Sequence, residues 1–431
     1  MTLSNLRRRT VLAGGLAGLL GLPLTSRLAF AQDNRRLRFF WWGNQDRLNR
    51  TQAAMDLFTS RHPGVQIDGE TAPFDDFFPR LATQVVGGNP PDVVQMDFRY
   101  IAEYAHRGAL LDLGPYLGKS LDLSQIPADQ VDANRVDGKL YGVSFGVNSA
   151  ALMVNTTAWG EVDATAPHHG MTYDEFAEAC AKLTKDTKRA NFFGTSDSSG
   201  NDIALENWLM QRGKGLYTPE GKLGYDETDA ASWFDLWAKM RDAKACVPGD
   251  VQALDLNTIE TNMVTLGHAA TSFQLANAIG PQQNAVKEAI VPQPFPIIAA
   301  DSKPGHYLRP ATRLSVTAAT KYPDDAVALL AFLTGDVDAA KILGADRGIP
   351  SAPSLAKAIS PTLKPAEKIS VDYIASLAEL VGPLPPALPP GAGEITKLVH
   401  DVSQQVAFGT LSTQDGGGAL VSGANDILSR N

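Results

Sequence analysis

The sequence predicts an α/β fold of more than one domain, and three observations support this prediction. The chain has 431 residues, more than a single hydrophobic core usually serves. Its apolar fraction is 44%, an ordinary value for a globular protein. Short apolar runs alternate with segments whose apolar residues recur at helical spacing. This alternation is typical of a parallel sheet covered by helices on both faces.

The first strand and helix are predicted near the N-terminus of the folded chain. Residues 38–42 form an apolar, aromatic run that ends at the turn residues Gly43-Asn44. Residues 48–59 then place apolar side chains on one helical face. His62-Pro63-Gly64 ends this helix, because proline cannot continue it and glycine can cap it.

The same order repeats twice before residue 108. Residues 65–67 and 93–96 are predicted strands, and residues 77–86 and 100–107 are predicted helices. Glycine and proline in residues 87–91 separate the second helix from the third strand. The result is a strand-helix-strand-helix-strand pattern.

The alternation resumes after Tyr141. Strands are predicted at residues 143–154, 263–273 and 314–319. Helices are predicted at residues 174–183, 204–212, 230–240, 323–332, 337–343 and 424–428. Residues 383–390 are rich in proline, which excludes a helix or a central strand and predicts an extended connector.

Residues 1–31 have the pattern of an export signal. Arg7, Arg8 and Arg9 precede an uncharged apolar run of about 12 residues, too short to span a bilayer. Ala29-Phe30-Ala31 is a small-x-small cleavage site that would leave Gln32 first. Arg8-Arg9 is followed by a residue of any kind, an apolar residue and leucine, which favours a twin-arginine signal over an ordinary secretory one. The residues around the cleavage site include no cysteine, so we do not expect a lipid anchor.

Composition argues against several classes of function. The formal net charge is −9 and no basic run occurs after the N-terminal segment, so we expect no nucleic-acid partner. His168-His169 are adjacent and would point apart, so we expect no metal site. The sequence has neither a P-loop nor a dinucleotide fingerprint, and no cofactor is expected. Cys180 and Cys246 are compatible with a disulfide or with two buried thiols.

Gly142-Val143-Ser144-Phe145-Gly146 satisfies the G-x-S-x-G pattern of hydrolase nucleophiles. That nucleophile needs a helix directly after the serine, whereas residues 147–154 continue as an apolar, strand-like run. We therefore interpret Gly142 and Gly146 as candidates for a hinge. The adjacent acids Asp75-Asp76 do not define the separation across a sugar that a glycosidase needs.

Four segments carry a family resemblance, in order along the chain: Trp41-Trp42-Gly43 with His62-Pro63-Gly64-Val65; residues 87–97 with 103–111; residues 137–143 with Asn148 and Asn155; and residues 271–277. Together they resemble the family 1 extracellular solute-binding proteins of ABC importers, the maltose-binding-protein-like group. The resemblance covers nearly all of the chain after the export segment.

This resemblance implies a two-lobe periplasmic-binding-protein fold, in which each lobe is a sheet flanked by helices and a hinge of crossing strands joins them. Residues 32–145 and 311–352 would form the N-lobe, and residues 146–310 and 353–431 the C-lobe. The implied function is capture of a sugar or oligosaccharide, without catalysis, for the permease of an ABC importer. A monomer in the periplasm or outside the cell is expected.

Nine residues are candidates for ligand binding: Trp42, Asn44, Gln45, Asp97, Asn148, Ser196, Asp197, Phe273 and Asn277. Several follow predicted strands, whose carboxyl ends are the usual binding edge of an α/β sheet. Aromatic rings pack on the C–H face of a sugar, and carboxylates and amides bond its hydroxyls. Phe273 and Asn277 are candidates because they match family positions.

Alternatives remain open for these residues and for the function. Trp42 is equally compatible with the core, Asp97 with a helix cap, and the polar residues 196–201 with a flexible loop. An exported carbohydrate-active hydrolase is the second functional hypothesis. A structural or adhesive surface protein is the third.

Overall fold

The computed structural model describes residues 35–43, 45–98, 100–377 and 379–430. Outside these ranges lie the export segment 1–31, Gln32 and the candidate Asn44. The predicted export signal, its cleavage site and the ligand-binding role of Asn44 are therefore not tested by the structure. None of the helices in the described ranges combines the length and the apolar character needed to cross a membrane.

The strands that the described residues form are β1 (Arg35–Trp42), β2 (Val65–Ala72), β3 (Val93–Met96), β4 (Arg135–Val136), β5 (Lys139–Leu140), β6 (Val143–Asn148), β7 (Ala150–Asn155), β8 (Thr271–Leu275), β9 (Ile290–Gln293) and β10 (Arg309–Val316).

The helices are α1 (Gln45–Arg61), α2 (Phe74–Val86), α3 (Ile101–His106), α4 (Ala128–Asp132), α5 (Thr156–Gly160), α6 (Tyr173–Asp186), α7 (Asp202–Gln211), α8 (Glu227–Asp242), α9 (Gly249–Gln252), α10 (Ile279–Ala285), α11 (Pro323–Gly335), α12 (Val337–Leu343), α13 (Pro353–Ile359), α14 (Pro365–Ser376), α15 (Ala392–Ala407) and α16 (Thr413–Arg430). Short 3₁₀ turns cover Gly114–Tyr116, Ala276–Ala278 and Ser360–Thr362.

The first sheet has the strand order β2-β1-β3-β10-β6. Its first three strands are parallel, and β10 runs antiparallel to both β3 and β6. Phe39 and Trp41 enter the core cluster that includes α1 and α11, whereas Phe40 and Trp42 enter the cluster that includes α2. This alternation follows from the two-residue period of a strand. The predicted α/β class is therefore confirmed, with helices on both faces of the sheet.

The second sheet has the order β8-β7-β9, with both pairs antiparallel. Residues 193–196 extend it alongside β8, since the Ser196 amide donates to the Thr271 carbonyl over 2.9 Å. The large hydrophobic cluster on one face of this sheet contains Trp159, Trp208, Trp233 and Trp237.

The two sheets meet where β6 passes directly into β7. The range 143–154, for which strands are predicted, holds two strands in different sheets, separated by Ser149. β10 begins at Arg309, earlier than the predicted residue 314, and pairs there with Asn148. The predicted lobe boundaries 145/146 and 310/311 fall inside β6 and β10. The N-lobe of residues 32–145 and 311–352 and the C-lobe of residues 146–310 and 353–431 therefore stay a prediction.

One predicted strand is wrong over most of its length. Residues 263–267 form turns rather than strand, with the His268 amide donating to the Met263 carbonyl over 2.8 Å, and β8 begins only at Thr271. Met263 and Val264 are buried in a hydrophobic cluster, so their apolar character reflects burial and not strand structure.

Gly146 is required by close packing at the crossing of the strands. A Cβ atom there would lie 2.7 Å from the carbonyl carbon of Gly348 and 2.8 Å from the carbonyl oxygen of Ile349. Ser144, two residues earlier, is buried in β6, and its hydroxyl donates to the Gly146 carbonyl over 3.1 Å. The strand continues to Asn148, so the G-x-S-x-G segment does not form a nucleophile turn.

Cys180 and Cys246 are both buried free thiols. Burial raises the pKa of each thiol well above its ordinary value, which keeps both protonated and unreactive.

Candidate ligand-binding cleft

A cleft of about 1270 Å³ lies at the crossing of the strands. Phe98, Asp132 and Arg135 border it from the side of the first sheet, and residues of α7, β8 and α15 from the side of the second. Arg309 and Pro310 at the start of β10 also line it. The cleft therefore lies between the two sheets and is also lined by the start of β10, the strand through which the chain returns to the first sheet.

Helix α7 is fixed to the second sheet at its N-terminus. The side chain of Asn201 accepts a hydrogen bond from the Ala204 amide over 3.0 Å, which caps the helix. Its amide group also donates to the Phe273 carbonyl in β8 over 3.2 Å. These two bonds position Asp202, Ile203 and Glu206, which all line the cleft.

Glu206 is the most enclosed carboxyl group of the cleft. It is only 7% exposed, and the Tyr307 hydroxyl donates to its Oε2 over 2.6 Å. Burial raises the pKa of Glu206 to about 7, against the opposing effects of the Tyr307 bond and the nearby charge of Arg309. Burial also raises the pKa of Tyr307, and the Glu206 charge adds to this effect.

The cleft carries more negative than positive side chains. Six carboxyl groups line it: Asp129, Asp132, Asp202, Glu206, Asp255 and Asp401. Three permanent cations line it: Arg135, Arg309 and Lys397. Arg135 is paired with Asp132 over 3.0 Å and Lys397 with Asp401. Arg309 forms no ion pair with any described residue.

Aromatic rings and prolines form the apolar part of the lining. Phe98 is half-buried, and the guanidinium carbon of Arg313 lies 4.8 Å from its ring centroid. Tyr217 and residues 383–388, which form neither a helix nor a strand, line the cleft on the other side. We call this segment the proline strap. It lies between α14 and α15, as predicted for a connector.

A small polar side pocket of about 60 Å³ opens beside the main cleft. Residues 196–201 line it together with Asp255 and His400, and several of these residues border both cavities. Asp197 is bound within the protein: it pairs with Arg241 and accepts a hydrogen bond from the Ser199 amide over 2.9 Å. Its carboxylate is therefore committed to holding the loop.

The structure places four of the nine sequence candidates at these cavities. Phe273 and Asn277 line the main cleft, and Ser196 and Asp197 line the side pocket. Phe273 is 3% exposed, and its ring packs against Trp237 and Phe295, so most of its surface serves the core.

The remaining described candidates lie elsewhere. Trp42 packs against Phe74 and Phe77, which favours the core interpretation of this residue. Gln45 begins α1 and donates to Asn49 over 3.0 Å. The side chain of Asn148 is buried and accepts from the Ser149 and Asn277 amides over 3.0 and 3.3 Å, so it braces the strand crossing.

Asp97 does not line the main cleft, although Phe98 beside it does. Its charge stabilises the buried guanidinium of Arg313, whose pKa burial lowers to about 9. The Nε of Arg313 donates to the Asn134 side chain over 2.6 Å, and its Nη2 donates to the Ala133 carbonyl over 3.3 Å. Asp97 thus helps to hold Arg313 beneath Phe98.

Sequence reasoning missed Glu206, Tyr307 and the proline strap as lining residues. Glu206 lies in an otherwise apolar turn of α7, and an acid among buried neighbours is a signal that could have identified it. Arg309, which is not among the nine candidates, also lines the cleft. Arg347 is buried, and its Nε donates to the Gln95 side chain over 2.8 Å. Within the described ranges, no cluster of three or more His, Cys, Asp or Glu could hold a metal ion.

Comparisons with known proteins identify the type of fold and the family. Residues 53–369 match the sequence model of the family described as bacterial extracellular solute-binding protein. A solved extracellular solute-binding protein family 1 from Alicyclobacillus acidocaldarius is 28% identical, with a TM-score of 0.75, over 91% of this chain and 98% of that chain.

Two further relatives are more distant. A periplasmic oligogalacturonide binding protein from Yersinia enterocolitica is 22% identical, with a TM-score of 0.78, over 92% of this chain and 99% of that chain. An uncharacterized lipoprotein in the oleD 5′ region of Streptomyces antibioticus is 26% identical over 141 residues. That match spans 32% of this chain and 31% of the lipoprotein.

Proposed function

The chain belongs to the bacterial extracellular solute-binding proteins, and from this premise we propose that it captures a sugar or oligosaccharide between two lobes and delivers it to the permease of an ABC importer. The observation that carries the proposal is the cleft itself, which is bordered by both sheets at the crossing of the strands.

The lining suits a polar, hydroxyl-rich ligand. Carboxylates accept hydrogen bonds from hydroxyls, and the amides of Asn257, Asn262 and Asn277 both donate and accept. Phe98, which is half-buried, provides ring surface for the C–H face of a sugar. The relative from Yersinia enterocolitica was solved in complex with saturated digalacturonic acid, which supports a saccharide in a cleft of this fold.

The mechanism is a shift between open and closed forms. A ligand that contacts Phe98 and Arg135 on one side and Glu206 and Asn277 on the other contacts both sides fully only when the lobes are closed. Its differential affinity moves the population toward the closed form, which then docks on the permease. Asn148 and Gly146 lie at the crossing where the backbone must turn.

One observation favours the alternative of an exported hydrolase, namely the raised pKa of Glu206 in the cleft. Glycosidases need a second carboxyl group across the scissile bond. Asp202, whose charge acts on Glu206, lies four residues earlier on the same helix and not across the cleft. Asp129 and Asp132 border the cleft on the facing side, and Asp132 is paired with Arg135 over 3.0 Å. We propose that Glu206 binds ligand and that the protein is not an enzyme, which its membership of a solute-binding family supports.

The finer points of the proposal concern export and assembly. The family is extracellular, and Arg8-Arg9 with Ala29-Phe30-Ala31 supports export by a twin-arginine signal that is cleaved before Gln32. The protein is proposed to act as a monomer, with the lobes divided at residues 145/146, 310/311 and 352/353.

Thermal-shift screening of the chain from Gln32 onward, against mono- and oligosaccharides, tests the function. A true ligand raises the melting temperature by mass action. Small-angle scattering with the same ligand should show a smaller radius of gyration. Saturation without compaction would contradict hinge closure, and release of shorter saccharides during incubation would favour the hydrolase.

A further inference from the structure

The charge balance of the cleft is uneven in a way that concerns its ligand. Two of its three cations are already neutralised by cleft carboxylates, in the pairs Arg135–Asp132 and Lys397–Asp401. Four carboxyl groups, those of Asp129, Asp202, Glu206 and Asp255, have no ion pair within the described ranges. A carboxylate ligand entering this cleft would face like charge on several sides.

The proline strap gives the cleft lining hydrogen-bond acceptors but few hydrogen-bond donors. Pro383, Pro385 and Pro386 line the cleft and lack a backbone N–H, so each offers only a carbonyl and an apolar ring. An anionic group on a ligand needs N–H or O–H donors around it. This wall of the cleft supplies little of that chemistry, whereas it suits hydroxyl groups and C–H surface.

Glu206 lies where these features converge. Its Oε2 accepts the Tyr307 hydroxyl, while its Oε1 accepts no hydrogen bond from the described residues. Glu206 lines the cleft, so this oxygen is available to a donor on the ligand, and a hydrogen bond to a carboxylate in such a site is strong.

The positive charge of Arg309 does not make the cleft favourable for an anionic ligand. Its charge acts on Glu206 and Tyr307, and it lowers the pKa of both groups. An anion that approached Arg309 would therefore also approach the Glu206 carboxylate and would compete with it.

We propose that the cleft selects non-anionic saccharides, whose hydroxyl or ammonium groups donate to Glu206, and that Glu206 determines the exclusion of uronic acids. This inference rests on the proposed function and names the class of its substrate. Neutral sugars and amino sugars share the donor chemistry, and the experiment distinguishes them.

The first experiment is titration calorimetry on the chain from Gln32 onward at pH 7.5. The neutral set contains di- and trisaccharides of glucose, galactose, xylose and mannose; the amino set contains glucosamine oligomers; the acidic set contains digalacturonate and trigalacturonate. Binding from the neutral or the amino set, at least tenfold tighter than any acidic probe, is the expected result. Preferential binding of an acidic probe would overturn the inference and leave the proposed function intact. If none of the three sets of probes binds, both this inference and the proposed function are contradicted.

The second experiment compares Glu206→Gln with Glu178→Gln, a control on the exposed surface of α6. Glutamine retains an oxygen that can accept from Tyr307 but removes the charge. Glu206→Gln should weaken the best non-anionic probe about tenfold or more, the effect of losing a charge-assisted bond. The substitution should also reduce the difference in affinity between the non-anionic and the acidic probes. Unchanged affinities in a variant that melts like wild type would show that Glu206 does not set the selection.

Discussion

Trp42 at the end of β1 and Glu206 in the cleft differ in how completely their side chains are partnered. Trp42 is 9% exposed, and its ring centroid lies 5.0 Å from that of Phe77 and 5.4 Å from that of Phe74. Glu206 is equally enclosed, yet one of its oxygens accepts nothing from the described residues. Aromatic surface that is already covered stabilises the fold, whereas a polar atom that lines a cleft and has unused hydrogen-bonding capacity is available to a ligand.

This contrast gives opposite expectations for substitutions in the two regions. At the end of β1, stability should change and intrinsic affinity should not. Around Glu206, affinity and its pH dependence should change more than stability.

The largest expected effect is on stability, from Trp42→Ala. Removing a buried aromatic side chain from the cluster with Phe74, Phe77 and Phe78 should cost about 3–5 kcal/mol of the free energy of unfolding. Denaturant unfolding measures this loss, and calorimetry at a temperature where the variant is folded should give wild-type affinity.

Phe98→Ala is the matched comparison for Trp42→Ala. Phe98 is half-buried and lines the cleft, so its loss should destabilise less and should weaken ligand binding. Equal loss of affinity in both variants would break the contrast between the two regions.

The next effect concerns Asp97→Asn. The charge of Asp97 supports the fully buried Arg313, and its removal should cost about 2 kcal/mol of the free energy of unfolding. Affinity should stay near that of wild type, because Asp97 does not line the main cleft. The sequence-based hypothesis expects the reverse, a stable variant with weak binding, so unfolding and calorimetry on this variant decide between them.

A smaller effect is expected on the pH dependence of binding. The pKa of Glu206 is raised to about 7 in the free protein, and a ligand that donates to its carboxylate should lower that pKa. Binding then releases a proton, and affinity should rise by up to about tenfold between pH 6 and pH 8. Glu206→Gln should flatten this profile, and a fall in affinity with pH for a neutral sugar would contradict the assignment.

The same group predicts the pH dependence of stability without ligand. Its ordinary pKa is 4.5, and its pKa in the folded protein is about 7, so the folded state retains a proton that the unfolded state has lost. The contribution of Glu206 to stability is therefore greatest below pH 4.5 and falls as pH rises through 7. Comparing the melting temperatures of wild type and Glu206→Gln across this range isolates the effect.

The smallest expected effect comes from Tyr307→Phe. This change removes the hydrogen bond to Glu206, worth about 1 kcal/mol, and it also removes an influence that lowers the pKa of Glu206. The midpoint of the pH profile for binding should therefore move upward. A shift to lower pH would show that Tyr307 is not the partner of Glu206 in solution.

Much of the fold followed from local pattern. The first helices and strands lie close to their predicted places, because the spacing of apolar residues, glycines and prolines is a local property. The error at residues 263–267 arose because an apolar run looks the same in a strand and in a buried turn. The site was less predictable: of the nine candidates, the two in the main cleft, Phe273 and Asn277, came from the family resemblance.

The sequence by itself determined the alternation of strands and helices, the acidic composition and the resemblance to extracellular solute-binding proteins. Only the tertiary structure decided which polar residues share the cleft. Glu206, Tyr307, Arg309 and the proline strap come from distant parts of the chain, and their proximity depends on how β10 and the segment after α14 return to the crossing. The difference between Trp42 and Glu206 is likewise a matter of partners, because burial and unused hydrogen-bonding capacity are properties of the packed molecule.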